Sequence, residues 1–158
     1  LIATAASVRS GAYQRILQEL DPDVAVTARA CPLFVPLVEN GRFRRGDVVI
    51  ETVAREYLEP LRREGLDTLI LGCTHYPLLT DIIGDIMGPG VTLINTGEEA
   101  AWELKRTLRA MDLLAPEGPA GRAILCASDQ PEHFGSLAAY FLGESLTRPV
   151  QPVDIDRY

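Results

Sequence analysis

The chain has 158 residues, which is enough for one domain with a sizeable hydrophobic core. Its 22 acidic and 15 basic side chains leave a net charge of -7, which argues against broad electrostatic binding of nucleic acid. Hydrophobic residues make up 47% of the chain, but no apolar stretch approaches the ~20 residues of a membrane span. The sequence also does not open with the pattern of a signal peptide. We therefore expect a soluble cytoplasmic protein that does not bind membranes.

Apolar spacing and capping residues predict alternating strands and helices along the whole chain. In chain order they predict a strand at residues 1–4, a helix at 8–20 with Ser7 as its N-cap, a strand at 24–28, a loop or irregular helix at 32–39, and a helix from the cap Asp47 to residue 64. A strand at 66–71, buried on both faces, then precedes a helix from Pro77, a strand at 91–95 and a helix at 97–111.

The last part of the chain continues the same alternation. A loop rich in proline and glycine at 115–121 is followed by a strand at 122–127, a helix at 131–142 and a strand at 150–155. The whole pattern predicts an α/β fold with a parallel, Rossmann-like or flavodoxin-like sheet that carries helices on both faces. Because natural domains rarely begin inside a strand, the start at Leu1 leads us to expect the later part of a longer protein.

Three cysteines are present, Cys31, Cys73 and Cys126, without a CxxC pair and with only two histidines in the chain. This composition predicts free thiols and neither a structural zinc site nor any other metal site. By default each cysteine is a small buried hydrophobic residue, and we expect that packing role for Cys31 and Cys126.

Cys73 is different because it follows a predicted strand of a parallel sheet, where active sites of α/β proteins lie. The backbone amides at the start of the next predicted helix favour a thiolate over a thiol. His75, two residues later, is a side chain that exchanges protons near neutral pH. The pattern is compatible with a reactive thiol, but a single cysteine after a strand is more often a packing residue, and a histidine close in sequence need not contact it.

The segment LILGCTHYPLL at residues 69–79 resembles the second-cysteine motif of the glutamate racemase family. The stretch CPLFVPLVE at 31–39 is similar to the segment before the family's second catalytic loop, and ATAASV at 3–8 with SGAY at 10–13 resembles its substrate loop. These motifs cover about the first 95 residues in the family's order. The aspartate and hydantoin racemases share Gly-Cys-Thr, and the following His-Tyr-Pro favours the glutamate enzyme.

The resemblance implies interconversion of L- and D-glutamate for peptidoglycan synthesis by two opposed thiols, with no cofactor and no metal. Cys73 would be the second thiol, acting on the L enantiomer, and His75 would assist its proton transfers. Glu39 would orient His75 by a hydrogen bond. The hydroxyls of Thr4, Ser7 and Thr74 follow predicted strands or lie beside Cys73, and we expect them to bind the carboxylates of the substrate.

The sequence departs from the family in several places. Ala3 and Ser7 stand where the family usually has Gly and Thr, and Asn95-Thr96 replaces a common Asp-Ser. The family's first cysteine segment is absent, so we expect a fragment that carries one of two catalytic thiols and does not racemise glutamate alone. By resemblance, residues 1–95 form the second lobe and residues 96–158 return to the first lobe. If the first lobe is absent, the apolar faces of the helices in residues 96–158 would be exposed, or a second copy of the chain would cover them in a homodimer.

Two other classes of function remain open from the residues alone. A Cys-His hydrolase would use Cys73 as a nucleophile and pass through a covalent acyl intermediate. A binding module without catalysis would sense an acidic amino acid and would not need the thiol.

Overall fold

The computed structural model describes residues 1–118, 121, 123–143 and 146–157, with residue 157 described by its backbone alone. Arg122, where a strand is predicted to begin, and Pro119 and Ala120 of the predicted loop lie outside the described residues. The chain divides into two compact units, Leu1–Leu114 and Ala115–Tyr158.

A parallel sheet forms the centre of the first unit. Its strands are β1 (Ile2–Ala3), β2 (Arg29–Ala30), β3 (Thr68–Gly72) and β4 (Thr92–Asn95), in the order β2-β1-β3-β4. Every neighbouring pair is parallel. In register, Ala3 lies between Ala30 on one side and Gly72 on the other. The predicted α/β class is therefore confirmed.

Helices connect these strands and follow the last of them. They are α1 (Ala5–Ser10), α2 (Ala12–Leu20), α3 (Phe34–Glu39), α4 (Val48–Arg63), a 3₁₀ turn (Tyr76–Leu79), α5 (Thr80–Met87) and α6 (Thr96–Ala110). Strand β2 lies on the opposite side of β1 from β3, so the chain reverses its direction across the sheet after β2. Because crossovers between parallel strands are right-handed, that reversal places α1 and α2 on one face and α4 and α5 on the other.

The hydrophobic core lies between the sheet and helices α3 to α5. Leu69 and Leu71 of β3, Leu58 of α4 and Ile83 of α5 are all fully buried in one cluster. Ile70, which points to the other face of β3, is only half-buried. The expectation that this strand is buried on both faces is therefore wrong, because α1, α2 and α6 bury none of their described residues.

The first helical segment differs from the predicted single helix. Thr4, not Ser7, is the N-cap, since its side chain accepts a hydrogen bond from the Ser7 backbone N–H at 3.3 Å. Gly11 then adopts a left-handed conformation with φ 62°, which ends α1 and begins α2. A glycine takes that conformation without the steric cost that other residues have.

Strand β2 also lies later than predicted, because the apolar residues 24–28 have no regular structure. The Arg29 N–H donates to the Leu1 carbonyl at 2.9 Å, and the Cys31 N–H donates to the Ala3 carbonyl at 3.0 Å. Pairing with the two-residue β1 therefore decides where β2 lies, and this long-range constraint overrides the β-propensity of the preceding valines.

The second unit contains β5 (Cys126–Ala127), α7 (Pro131–Leu142), β6 (Gln151–Pro152) and a 3₁₀ turn (Ile155–Arg157). β5 and β6 pair in parallel. The helix predicted at 131–142 is confirmed, while the last strand is shorter than predicted. Cys126 is exposed, so the expectation that it packs in a core is wrong.

Within the described part of the chain, no helix combines the length and the apolar character that crossing a membrane requires.

Candidate active site

The predicted site residues gather at the carboxyl edge of the sheet. Ala3 pairs with Gly72, so the next residues, Thr4 and Cys73, leave neighbouring strands at the same edge. The chain leaves β1 toward one side of the sheet and β3 toward the other, which makes this position a topological switch point. Open α/β sheets bind their ligands in the crevice at such points.

Gly72 allows β1 and β3 to approach closely just before Cys73. A Cβ atom on Gly72 would lie 3.0 Å from the Ile2 carbonyl oxygen, 3.2 Å from the Ala3 Cβ and 3.3 Å from the Tyr13 ring. Because these distances are shorter than ordinary van der Waals contacts, a larger residue would push the two strands apart, and glycine suits the backbone position from which Cys73 emerges.

Cys73, His75 and Glu39 form a connected series. The half-buried Cys73 has its Sγ 3.9 Å from Nδ1 of His75, and His75 Nε2 lies 3.1 Å from Oε1 of Glu39. Glu39 is the last residue of α3, so an element 36 residues earlier in the chain supplies the partner of His75. The His75 and Glu39 side chains are 20% and 37% exposed, so water reaches the pair only in part.

This arrangement determines where the imidazole carries its hydrogen. An ionised carboxylate only accepts hydrogen bonds, so Nε2 must be the protonated nitrogen of a neutral His75. Nδ1 is then an acceptor directed at the Cys73 thiol and at the Thr74 hydroxyl, which lies 3.3 Å away. The site can therefore share a proton between sulfur and imidazole.

The helix that follows Cys73 begins differently from the prediction. The helix predicted from Pro77 begins as the 3₁₀ turn Tyr76–Leu79, and α5 begins only at Thr80. The 3₁₀ turn continues directly into α5, so helical structure starts three residues after Cys73. The effect of this helix start on the thiol stays a prediction, and the observed polar contact of the Cys73 side chain is with His75.

The hydroxyls of Thr4 and Ser7 form a second small cluster at the same edge, 3.1 Å apart. Thr4 already accepts the Ser7 N–H as the cap of α1. The structure thus brings Cys73, Thr74, His75 and Glu39 into one network and places Thr4 and Ser7 beside each other at the end of the neighbouring strand.

Two further residues of this region make contacts that the sequence does not predict. The hydroxyl of Thr96 donates to the Leu71 carbonyl at 3.1 Å, which ties the start of α6 to the end of β3. The hydroxyl of the fully buried Tyr76 donates to the Cys31 carbonyl at 3.1 Å. A buried tyrosine needs a partner for its hydroxyl, so its place in an apolar run was the available signal.

Cys31 lies in the core and is completely buried, which confirms its predicted packing role. Burial raises the pKa of its thiol to about 12, and this outweighs the opposing effect of Arg29. Cys31 therefore stays protonated at neutral pH and is not a base. Among the described residues, no group of three or more His, Cys, Asp and Glu side chains is arranged to hold a metal ion.

Comparison with known proteins connects this geometry to one family. No protein-family model matches the chain. It is 45% identical over 155 residues to the glutamate racemase of Mycobacterium ulcerans, a match that covers 96% of this chain and 56% of that protein. The chain is thus homologous to glutamate racemases but spans little more than half the length of the curated relatives it matches.

Solved structures agree with the sequence match. The glutamate racemase of Thermus thermophilus in complex with β-chloro-D-alanine superimposes with a TM-score of 0.82 at 44% identity, covering 99% of this chain and 56% of that one. The glutamate racemase of Francisella tularensis in complex with D-glutamate gives a TM-score of 0.86 at 31% identity, covering 99% and 58%.

Proposed function

We propose that this chain, a homologue of glutamate racemases over nearly all of its length, supplies one of the two acid/base thiols that interconvert L- and D-glutamate for peptidoglycan synthesis in the cytoplasm. The observation that carries the proposal is the series Cys73, His75 and Glu39 at the switch point of the sheet. Neither a cofactor nor a metal takes part in the proposed chemistry.

In the proposed reaction, the thiolate of Cys73 removes the α-proton of L-glutamate. The S–H bond forms as the C–H bond breaks, and the electron pair left on carbon is delocalised into the α-carboxylate. In the opposite direction the thiol returns its proton to the same face of the carbanion. An α-proton beside a carboxylate is very weakly acidic, so catalysis requires hydrogen-bond donors for the developing charge.

The other site residues have separate proposed roles. His75 accepts the thiol proton through Nδ1 when Cys73 ionises, and Glu39 keeps the ring in the tautomer that allows this. The hydroxyls of Thr4, Ser7 and Thr74 donate hydrogen bonds to the substrate carboxylates. Their position at one edge of the sheet supports this role.

The second thiol is proposed to come from a segment that this chain does not contain, or from a second copy. Cys31 is excluded as that thiol because it is buried and protonated. Exposed apolar side chains on α6 and α7, among them Trp102, Leu104 and Leu142, support a covering partner. In this proposal residues 1–95 form one lobe and residues 96–158 belong to the other.

The experiment follows α-hydrogen exchange by NMR with the chain in D₂O. We expect deuterium to enter L-glutamate without inversion, because one thiol returns the hydrogen to the face from which it came. Replacing Cys73 by Ser abolishes the exchange, whereas Cys126→Ser, in the second unit, leaves the rate unchanged. Exchange that persists in Cys73→Ser would contradict the proposal.

A Cys-His hydrolase is the second candidate, because a thiol, an imidazole and a carboxylate in series also form a nucleophilic triad. Incubation with an activated ester would then raise the mass of the protein by one acyl group at Cys73. An acyl group that forms and turns over, without any exchange of the glutamate α-hydrogen, would favour the hydrolase.

A further inference from the structure

Tyr76 connects the two segments that meet in the proposed site. Its backbone N–H donates to the Cys73 carbonyl at 3.1 Å, which closes the turn that carries Cys73, Thr74 and His75. Its side-chain hydroxyl donates to the Cys31 carbonyl at 3.1 Å. One residue therefore ties the turn after β3 to the segment that follows β2.

The segment to which the Tyr76 hydroxyl is bonded continues into α3, the helix that ends with Glu39. The Cys31 carbonyl also accepts the N–H of Phe34, the first residue of α3, at 3.2 Å. The rings of Phe34 and Tyr76 meet edge to face, with centroids 5.2 Å apart and an angle of 89° between planes. Since Glu39 ends the same short helix, the start of α3 determines where the carboxylate lies.

We propose that Tyr76 is a positioning residue whose hydroxyl sets α3 against the turn after β3, so that Glu39 meets Nε2 of His75 while Nδ1 faces Cys73. The inference rests on the proposed function for its purpose, but its geometry and its test do not need racemase activity. Tyr76 itself does not touch the reacting atoms.

Because the Tyr76 hydroxyl is buried, it stays protonated and donates its hydrogen bond over a wide pH range. Desolvation raises the pKa of Tyr76 well above its ordinary value, and the neighbouring Cys31 acts in the same direction. The phenol therefore keeps its hydrogen throughout the pH range in which a thiol and an imidazole titrate. A position fixed by this bond does not change while the proton moves between Cys73 and His75.

Tyr57 provides a matched control in the same aromatic cluster. The centroid of its ring lies 5.3 Å from that of Phe34, with an angle of 75° between the ring planes, and its side chain is buried. Tyr57→Phe thus removes a buried hydroxyl next to α3 without touching the turn that carries His75. A purely structural role for Tyr76 predicts the same behaviour for the two phenylalanine variants.

The test compares Tyr76→Phe with Tyr57→Phe in the full chain with Cys126→Ser. The first readout is the ¹⁵N NMR spectrum of the imidazole rings, in which the His75 Nε2–H signal reports the bond to Glu39; His133→Gln assigns the two histidines. The second is the rate of Cys73 alkylation by iodoacetamide at fixed pH, measured by peptide mass spectrometry. Urea unfolding of each variant measures the cost in stability.

We expect Tyr76→Phe to lose the protected Nε2–H signal and to slow alkylation of Cys73 three- to tenfold, with Tyr57→Phe like the parent in both. On a Glu39→Gln background, Tyr76→Phe should add less than a further twofold, because both changes act through the same hydrogen bond. An unchanged signal and rate in Tyr76→Phe would overturn the inference, as would equal effects in Tyr57→Phe.

Hydrogen exchange in the parent chain gives an independent measurement if Tyr76→Phe does not fold. The Tyr76 hydroxyl hydrogen and the His75 Nε2–H should exchange with the same opening rate. An Nε2–H that stays protected after the hydroxyl hydrogen has exchanged would overturn the inference. Failure of the deuterium experiment with glutamate, with these results as expected, would instead reject the proposed function alone.

Discussion

The His75 ring lies between the Glu39 carboxylate, a hydrogen-bond acceptor near Nε2, and two hydrogen-bond donors near Nδ1. Glu39 holds Nε2 at 3.1 Å, while the Thr74 hydroxyl and the Cys73 thiol both lie near Nδ1, at 3.3 and 3.9 Å. A hydroxyl is a stronger donor than a thiol, so the resting site favours the Thr74 bond.

Replacing Glu39 by Gln tests how much the orientation of His75 matters. A hydrogen bond to a charged group contributes about 1.5–3 kcal/mol, and partial exposure reduces this value. We therefore expect alkylation of Cys73 and exchange of the L-glutamate α-hydrogen to slow by roughly 3- to 10-fold, since a factor of ten corresponds to about 1.4 kcal/mol.

Glu64→Gln is the control for this substitution. Glu64 is the C-cap of α4 and accepts a hydrogen bond from the Thr27 hydroxyl at 2.9 Å. Both rates should match the parent in Glu64→Gln. Equal rates in Glu39→Gln and the parent would show that the carboxylate does not orient the imidazole.

At the scale of elements, the contact of β1 with β3 fixes the origin of the turn that carries Cys73. Gly72→Ala places a Cβ 3.0 Å from a backbone oxygen of β1, which cannot move without shifting the strand. We expect a loss of about 1–3 kcal/mol in the free energy of unfolding, measured by urea titration, because overpacking displaces backbone.

Gly90→Ala is the matched control, since a Cβ there meets nothing within 4 Å. Its free energy of unfolding should stay within about 0.5 kcal/mol of the parent. If Gly72→Ala were as stable as Gly90→Ala, the close contact between β1 and β3 would not contribute to stability as predicted.

The packing of α4 on α5 gives a second prediction for elements. Ile83 is fully buried between them, whereas Ile16 on α2 is 56% exposed. Ile83→Ala should reduce the free energy of unfolding by about 2–5 kcal/mol, and Ile16→Ala by less than about 1 kcal/mol. Similar losses for both variants would contradict a core confined to one face of the sheet.

Local patterns predicted some elements well and others poorly. Asp47 was identified as the cap of α4, and its carboxylate does accept the Val49 N–H at 3.0 Å. The valines predict a strand at residues 24–28, but β2 lies at Arg29–Ala30 because it pairs with β1, and no local window of sequence contains that pairing. The division of the first helix at Gly11 depends on backbone conformation that composition does not specify.

For the candidate site, the family resemblance identified the side chains that form the network but not the residues that hold it in place. Resemblance supplied Cys73, His75 and Glu39, which the structure brings together although 36 residues separate the last two. Tyr76 and Thr96 were not found, because their hydroxyls bond to main-chain carbonyls of other elements. Such partners appear only once the chain is folded.

At the scale of the whole molecule, buried side chains are distributed unevenly. Every described residue that is fully shielded from solvent lies between Leu1 and Met87. The described residues after Met87 contribute exposed or half-exposed side chains, including the apolar Trp102, Leu104 and Phe141. Stability of the first unit therefore depends on one core, and that core contains an ionisable thiol, Cys31.

Because of Cys31, we expect the free energy of unfolding to fall as the pH rises into the alkaline range. Burial raises its pKa from about 9 to about 12 in the folded chain, so between these values the unfolded chain loses a proton that the folded chain keeps. Ionisation then favours unfolding, and the free energy of unfolding falls by up to about 1.4 kcal/mol per pH unit from this group. Below pH 8 both states keep the proton, and the contribution is constant.

Urea unfolding at pH 8, 9 and 10 measures this effect against Cys31→Ala. Tyr57 and Tyr76 are present in both proteins, so the part of their raised pKa values that comes from burial is common to both curves. We expect the parent to lose about 1 kcal/mol more than Cys31→Ala between pH 9 and 10. Cys126→Ala, which removes an exposed thiol, should follow the parent, and parallel curves for all three proteins would show that ionisation of Cys31 is not linked to unfolding.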